Sequence, residues 1–261
     1  MPKYDYLLLH TERKFVRERC KIIRKVDGEW VNEEIEETVI IPTDPPPPNI
    51  DPYVFHQPWF YGYCRNANTP QDTAKQSIFI FCTFSQRRIA LLVDTVFVVK
   101  QKYAWLGQSD GFQPSRNFRD NYPYKESDSL YKEFIAPRAK WQQHEAAHTI
   151  YEAEHYQNSN FPQKRSDNIF SFIPLFEEKG EFLLLDIYPL IQDLDELDLI
   201  RKIRNVNIQN KLFRIDFISM KILKYLFEYS SLLVTQTTSK GVPIIDKSLS
   251  SKYSELNYGR E

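Results

Sequence analysis

The chain has 261 residues, of which 42% are hydrophobic and 15% aromatic, so it can bury a sizeable core. Its formal net charge of −1 excludes a global electrostatic attraction to nucleic acid or membrane lipid, and any polyanion contact must come from a local patch. No glycine-rich phosphate loop is present, which argues against nucleotide-binding α/β folds. Three cysteines without close spacing, no secretory leader and no apolar stretch of membrane length predict a cytoplasmic protein without a membrane partner.

The first part of the chain has the pattern of strands. Residues 3–12 predict a first strand, and residues 14–43 predict a hairpin with Asp27-Gly28 as its two-residue turn. The proline-rich connector at 42–52 should be extended. The apolar runs at 77–84 and 88–105 are the strongest strand signals, and they predict adjacent central strands that contain Ile78, Phe79, Phe81, Leu91, Val93, Val96, Phe97 and Val98.

The remaining elements are mixed. Residues 107–130 predict a mobile or ligand-ordered loop, and a helix should begin near residue 138. Two further strands are predicted within 169–191, and the pattern turns helical over 195–229. The order predicts an α+β fold with a curved or barrel-like, mostly antiparallel sheet, one mid-chain helix and C-terminal helices. We expect a barrel-like domain over 1–190 and a C-terminal helical extension packed on it over 191–261.

Residues 144–155, HEAAHTIYEAEH, contain the H-E-x-x-H pattern of zinc hydrolases. On a helix, His144, His148 and Glu152 would share one face and could hold zinc, with Glu145 as general base. The flanking residues are polar, whereas such metal-binding helices are buried. We therefore expect no bound metal and a solvated helix face, with a metal-dependent hydrolase as the alternative.

The segment PWFYGYCRNANTP, residues 58–70, gathers aromatic rings around Gly62. Rings stack on bases, arginine pairs with phosphate or a base edge, and asparagine reads an amide-like edge. We predict a ligand-binding wall formed by Trp59, Tyr61, Tyr63, Cys64, Arg65 and Asn66. Packing of the rings in the core is the alternative. Cys64 could be a nucleophile, with a histidine such as His10 or His56 as its base, or a small buried side chain.

A basic stretch spans residues 200–224, with Asp216 as its single acid. On a helix it could contact phosphates through Arg201, Lys202, Arg204, Lys211 and Arg214. The acidic run DLDELD precedes it, so mutual neutralisation is the alternative.

Residues 61–99, YGYCRNANTPQDTAKQSIFIFCTFSQRRIALLVDTVFVV, resemble the strand-and-return part of PUA/ASCH-like small barrels. TIYEAEHY and NIFSFIP further along resemble later elements of nucleotide-modification-associated domain families. Gln76-Ser77 stands where those barrels have Gly-Asp. The resemblance spans about residues 1–190. It implies a barrel mouth around Tyr63–Asn66, Thr83 and Phe172, where a flipped or single-stranded base could insert.

Three functions stay open. The resemblance implies a module that recognises nucleic acid or a modified nucleotide, with a role in defence against phages or mobile elements. A metal-dependent hydrolase is the second. The third is an interaction subunit of a larger complex that docks a protein partner through the connector and the 107–130 loop. The sequence does not decide whether the protein is an enzyme.

Overall fold

The computed structural model of the protein describes residues 4–10, 13–43, 60–63, 75–85, 89–105, 148–157, 168–204, 211–237 and 247–254. Within them lie the strands β1 (Tyr6–His10), β2 (Lys14–Val26), β3 (Glu29–Trp30), β4 (Ile35–Thr43), β5 (Phe60–Tyr63), β6 (Ile78–Ser85), β7 (Ala90–Trp105), β8 (His148–Ala153), β9 (Ile173–Glu178), β10 (Glu181–Asp186), β11 (Lys211–Arg214) and β12 (Leu232–Thr237). The helices are α1 (Tyr188–Asp193), α2 (Leu197–Arg204), α3 (Ser219–Tyr229) and α4 (Lys247–Ser254). The fold is thus α+β and mostly strand, as predicted.

Strands β6 and β7 lie at the centre of the sheet. Their residues are β-branched, aromatic or leucine at most positions, which suits strands that are covered on both faces. They pair antiparallel from Ile78 with Val98 to Ser85 with Ala90, and every residue of β6 is buried. The predicted central position of these two apolar runs is confirmed.

The strand order is β11-β1-β6-β7-β10-β9-β12-β2-β3, with β4 paired to β2 and β8 paired to both β7 and β5. Strand β1 runs parallel to β6, and the other pairings of the described strands are antiparallel. The two ends of this path, β11 and β3, do not pair with each other. The described strands therefore form a mostly antiparallel, open sheet, and not a closed barrel.

One face of the sheet encloses an apolar cluster that we call the interior core. It draws side chains from strands far apart in the strand order, among them Leu8, Ile22, Ile41, Phe79, Leu184 and Val234. Because these strands can share one cluster only if the sheet bends around it, the sheet is curved. Helix α4 adds Tyr253, whose ring centroid lies 5.5 Å from that of Phe15.

The opposite face carries a second cluster, the helix-covered core. Alternate side chains of β6 and β7 point into it, and α1, α2 and α3 supply the facing residues, among them Ile191, Leu199, Ile203, Ile222 and Leu226. Both faces of the central strands are therefore shielded from solvent, which explains their continuous apolar sequence. None of the helices in the described part of the chain has the length and apolar character of a membrane span.

Two polar contacts anchor α3 to the sheet. At its start, Asp5 Oδ1 accepts a hydrogen bond from the Ile78 amide at 2.8 Å, and Asp5 Oδ2 accepts one from the Ser219 hydroxyl at 2.5 Å. At its end, the Trp30 indole donates to the carbonyl of Phe227 at 3.1 Å. The Trp30 contact satisfies a carbonyl that the helix terminus leaves unpaired, and the Asp5 contacts join the first residue of α3 to β6.

The hairpin between β2 and β3 turns where the sequence predicts. Asp27 and Gly28 both have positive φ, 50° and 85°, as a type I′ turn requires. Val26 pairs with Glu29 across this turn. The predicted Asp27-Gly28 turn is confirmed.

Three predicted helical regions differ from the structure. Residues 148–153 form β8, although a helix was predicted there, because they pair with β7 on one side and β5 on the other. Residues 211–214, within the predicted helical region, form β11 and pair with β1. Residues 232–237 form β12, which lies between β9 and β2, so the chain after residue 190 is not purely helical and contributes to the same sheet. The predicted 107–130 loop and residues 44–52 of the connector lie outside the described residues.

Candidate functional site

A buried acid–base pair lies where β1 ends. His10 is the last residue of β1, and its Nε2 atom is 2.5 Å from Oδ2 of Asp94 on β7. The Asp94 side chain is fully buried, and that of His10 is about 10% exposed. Burial removes the hydration of a carboxylate, and hydrogen-bond donors or cations must offset that cost, so Asp94 depends on this contact.

A β-bulge places Asp94 in this position. Across β6 and β7, Phe81 pairs with Thr95 and Cys82 pairs with Val93, so Asp94 is the extra residue between the two pairs. The neighbouring side chains show the effect, because Leu92 and Phe97 both belong to the interior core although they are five positions apart. A bulge turns a side chain away from its regular direction. Here it turns Asp94 toward the interior face, where His10 also lies.

Two threonine hydroxyls lie beside Asp94 on the same face. Thr95 is paired with Phe81, and Thr83 stands two residues beyond Phe81 on β6, so both share the interior face with it. Thr83 also pairs with His10 across β1 and β6. Both hydroxyls are buried, and within the described residues neither makes a hydrogen bond. Buried polar atoms without partners are rare in proteins, so their concentration here marks the site.

Arg13, directly before β2, adds a cation to this group. Its side chain is buried, and its Nε atom lies 3.9 Å from Oδ2 of Asp94. This distance is too long for a hydrogen bond, but it keeps the two opposite charges in strong attraction at low dielectric. We call the group of His10, Arg13, Thr83, Asp94 and Thr95 the polar cluster. It joins one cation, one carboxylate, an imidazole and two hydroxyls at one end of the interior core.

The predicted ligand-binding wall is only partly described. Trp59, Cys64, Arg65 and Asn66 lie outside the described residues. Tyr61 and Tyr63 belong to β5, where they pair with Tyr151 and Thr149 of β8. Because β8 also pairs with β7, β5 is part of the sheet that carries Asp94.

Thr83 and Phe172, predicted to lie at one barrel mouth, are not together. Thr83 belongs to the polar cluster on the interior face. Phe172 belongs to the helix-covered core, where its ring centroid lies 5.0 Å from that of Phe227 and 5.6 Å from that of Phe170. Phe172 is therefore a packing residue on the other face of the sheet.

The zinc-binding geometry is not present in the described part of the H-E-x-x-H region. His144 and Glu145 lie outside the described residues, whereas His148 and Glu152 are on β8. Four residues of strand separate two Cα atoms by roughly 13 Å, more than twice the spacing on a helix. Glu152 instead pairs with Lys100 at 2.7 Å. Among the described residues, no group of three or more His, Cys, Asp or Glu side chains is arranged to hold a metal ion.

The predicted phosphate-contacting residues do not share one helix. Arg201, Lys202 and Arg204 are on α2, whereas Lys211 and Arg214 are on β11. This split separates the cations into two elements, so the expected continuous basic helix is absent from the described chain.

Four of these five cations have partners within the protein. Arg201 and Lys202 both pair with Asp198, at 2.9 and 2.5 Å. Arg214 makes two hydrogen bonds to Asp216 and lies over the ring of Tyr4. Arg204 lies over the ring of Tyr188. Because these cations already have partners within the protein, the contacts favour local neutralisation over a built phosphate site.

The two cysteines in the described residues are not reactive thiols. Cys20 and Cys82 are buried and unpaired with each other. Burial raises the pKa of the Cys82 thiol well above its ordinary value, and it also raises the pKa of Cys20. Each thus stays protonated and packs as a small apolar side chain.

Most of the polar cluster is not evident from sequence motifs. The sequence singles out Thr83, whereas Arg13, Asp94 and Thr95 carry no motif. One signal was available, because Asp94 interrupts the apolar run ALLVDTVFVV at residues 90–99. A carboxylate inside a strand that is buried on both faces needs a specific partner.

No protein-family model, curated protein or solved structure was found to match this chain.

Proposed function

We propose that this protein recognises a nucleobase, in a nucleotide or a single strand of nucleic acid, through the polar cluster. One observation carries the proposal. The Asp94 carboxylate is fully buried, its Oδ1 atom makes no hydrogen bond in the described residues, and two buried hydroxyls without partners there stand beside it. Each unpaired buried group costs roughly 1–3 kcal/mol, and a bound ligand would recover part of that cost.

The chemistry of the polar cluster suits the edge of a base. Bases present N–H donors next to carbonyl and ring-nitrogen acceptors. Asp94 can accept from an N–H group, the hydroxyls of Thr83 and Thr95 can donate or accept, and Arg13 can pair with a carbonyl or phosphate oxygen. An apolar wall completes such a site, and Phe81 supplies one, with its ring centroid 6.3 Å from that of His10.

The sequence supports the same proposal in two further ways. Tyr61 and Tyr63 of the predicted wall lie on β5, which pairs with β8 beside β7, and aromatic rings are suited to stacking on bases. The resemblance to PUA/ASCH-like proteins of the nucleotide-modification-associated type points to nucleic-acid or modified-nucleotide recognition in defence against phages or mobile elements. This resemblance and the cytoplasmic location are part of the proposal.

Calorimetric titration of the full-length protein with nucleosides, mononucleotides and short single-stranded oligonucleotides tests the proposal. We expect saturable binding of at least one base, and Thr83→Val should weaken it about threefold to tenfold, the value of one neutral hydrogen bond. Tighter binding of the mononucleotide at low salt would identify a phosphate contact.

Ser230→Ala is the matched control. Its hydroxyl is also buried without a hydrogen bond in the described residues, but it follows α3, whose buried side chains belong to the helix-covered core. This variant should bind like the parent protein. Absence of binding to all nucleosides and oligonucleotides at millimolar concentration would refute the proposal.

A further inference from the structure

The polar groups beside Asp94 follow a definite order along the strands. Thr95 on β7 is paired with Phe81 on β6. Thr83 lies two residues beyond Phe81 on β6, which is a distance of roughly 6.6 Å along the strand. Asp94 is the bulged residue, and along the strands it lies between the position of Thr95 and that of Thr83, on the same face. The order is therefore hydroxyl, carboxylate, hydroxyl.

Only one oxygen of the central carboxylate remains to be bonded by a ligand. Oδ2 of Asp94 is in contact with His10 Nε2 and lies near Arg13. Neither oxygen makes a regular hydrogen bond in the described chain, but Oδ1 also lacks the ion-pair contacts that occupy Oδ2. A ligand that fits must present one N–H donor to Oδ1, with a group on each side that can bond a hydroxyl.

We propose that the polar cluster selects a pyrimidine with an imide edge, the class of uracil, thymine and their 5-substituted forms. This edge presents carbonyl, N3–H and carbonyl in sequence. N3–H donates to Oδ1 of Asp94, while the hydroxyls of Thr83 and Thr95 donate to the two flanking carbonyls. The inference rests on the proposed recognition of a nucleobase and names its substrate class.

Asp94 provides the discrimination against cytosine. In cytosine N3 is an acceptor, so it would face the carboxylate oxygen with no proton between them. Threonine hydroxyls accept as well as donate, and they therefore tolerate the amine that replaces one carbonyl. A matched base contact is worth about tenfold or more in discrimination, so uridine should bind at least about tenfold more tightly than cytidine.

A ligand series on the unmodified protein tests this without any risk of misfolding. The series comprises uridine, thymidine, cytidine and N3-methyluridine, titrated by calorimetry under one set of conditions. We expect uridine or thymidine to bind best, and N3-methyluridine to lose at least about tenfold because its N3 has no proton. Equal or tighter binding of cytidine or N3-methyluridine would overturn the imide assignment.

A protein variant tests the same contact from the other side. The amide of Asp94→Asn can donate to the N3 acceptor of cytosine, so the preference for uridine over cytidine should fall to parity or reverse. Ser230→Ala should keep the parent preference. An unchanged preference in Asp94→Asn would overturn the role of Asp94. If no nucleoside binds the parent protein at all, the proposed function itself fails, and this result is distinct from binding with the wrong preference.

Discussion

Replacing Thr83 or Thr95 with valine should make the free protein more stable. Valine keeps the branched shape of threonine and suits a buried strand, while it removes a hydroxyl that has no hydrogen bond in the described residues. The effect would be unusual, because most core substitutions destabilise a protein. We expect it because groups that are placed to bind a ligand have no hydrogen-bond partner in the free protein.

The magnitude follows from the cost of burying an unpaired polar group. That cost is roughly 1–3 kcal/mol, and some of it is relieved by local adjustment, so we expect a gain of about 1 kcal/mol for each substitution. For a protein of this size, 1 kcal/mol raises the melting temperature by roughly 2–4 °C. Equilibrium unfolding in urea measures the free energy directly, and a thermal melt provides the second measurement.

Thr235→Val is the matched control. Thr235 is also a buried strand residue, but its hydroxyl bonds the Lys21 carbonyl at 3.2 Å and the Glu34 carboxylate. Its replacement should lower the free energy of unfolding by about 1–2 kcal/mol, because these two partners lose a hydrogen bond. If Thr83→Val and Thr95→Val lower it by a similar amount, both hydroxyls have structural partners, and the polar cluster is not a binding site.

Three further predictions concern other buried groups. Asp5→Ala should cost about 3–5 kcal/mol of unfolding free energy in urea titrations, because it leaves two buried donors unpaired, and Asp5→Asn should cost less. The pKa of His155 is lowered, chiefly by burial and then by the charge of Lys100. The unfolded state therefore takes up this proton first, so stability measured against pH should fall below about pH 6.5, with a shallower slope in His155→Gln. Thiol labelling followed by peptide mapping should modify Cys20 and Cys82 only after unfolding, since burial keeps both protonated.

The central sheet was predictable because its signal is local. The runs around Phe79 and Val96 are apolar at nearly every position, and this pattern has few alternatives to a strand that is buried on both faces. The Asp27-Gly28 turn was predictable for the same reason, since two residues determine its conformation.

Strand β8 was wrongly predicted because its local preference and its tertiary context disagree. The residues EAAHTIYEAEH are rich in alanine and glutamate, which favour helix. Thr149, Ile150 and Tyr151 favour strand, and pairing with both β5 and β7 decides the outcome. The sequence of residues 148–153 alone does not show that a partner strand lies on each side of it.

The polar cluster was not predictable because it depends on contacts between distant parts of the chain. His10 meets Thr83 only through the parallel pairing of β1 with β6, and the direction of that pairing is not encoded in either strand alone. Asp94 meets His10 only because a bulge turns it to the interior face. The sequence therefore showed a charged residue inside an apolar, buried strand, but it did not show the partner residue that makes this burial possible.

The bulge itself allows a last test, because the ladder would be regular without Asp94. Phe81 and Cys82 are neighbours on β6, and their partners Thr95 and Val93 would become neighbours on β7. Deleting Asp94 should thus keep the sheet, abolish nucleoside binding and lower stability, since Arg13 loses its counter-charge. Deleting Val98 instead should unfold the protein, because it moves the following side chains to the opposite face. Amide exchange across β6 and β7 distinguishes the two deletions. Equal loss of protection in both would show that the sheet requires the bulge, and that Asp94 is not placed there for a ligand.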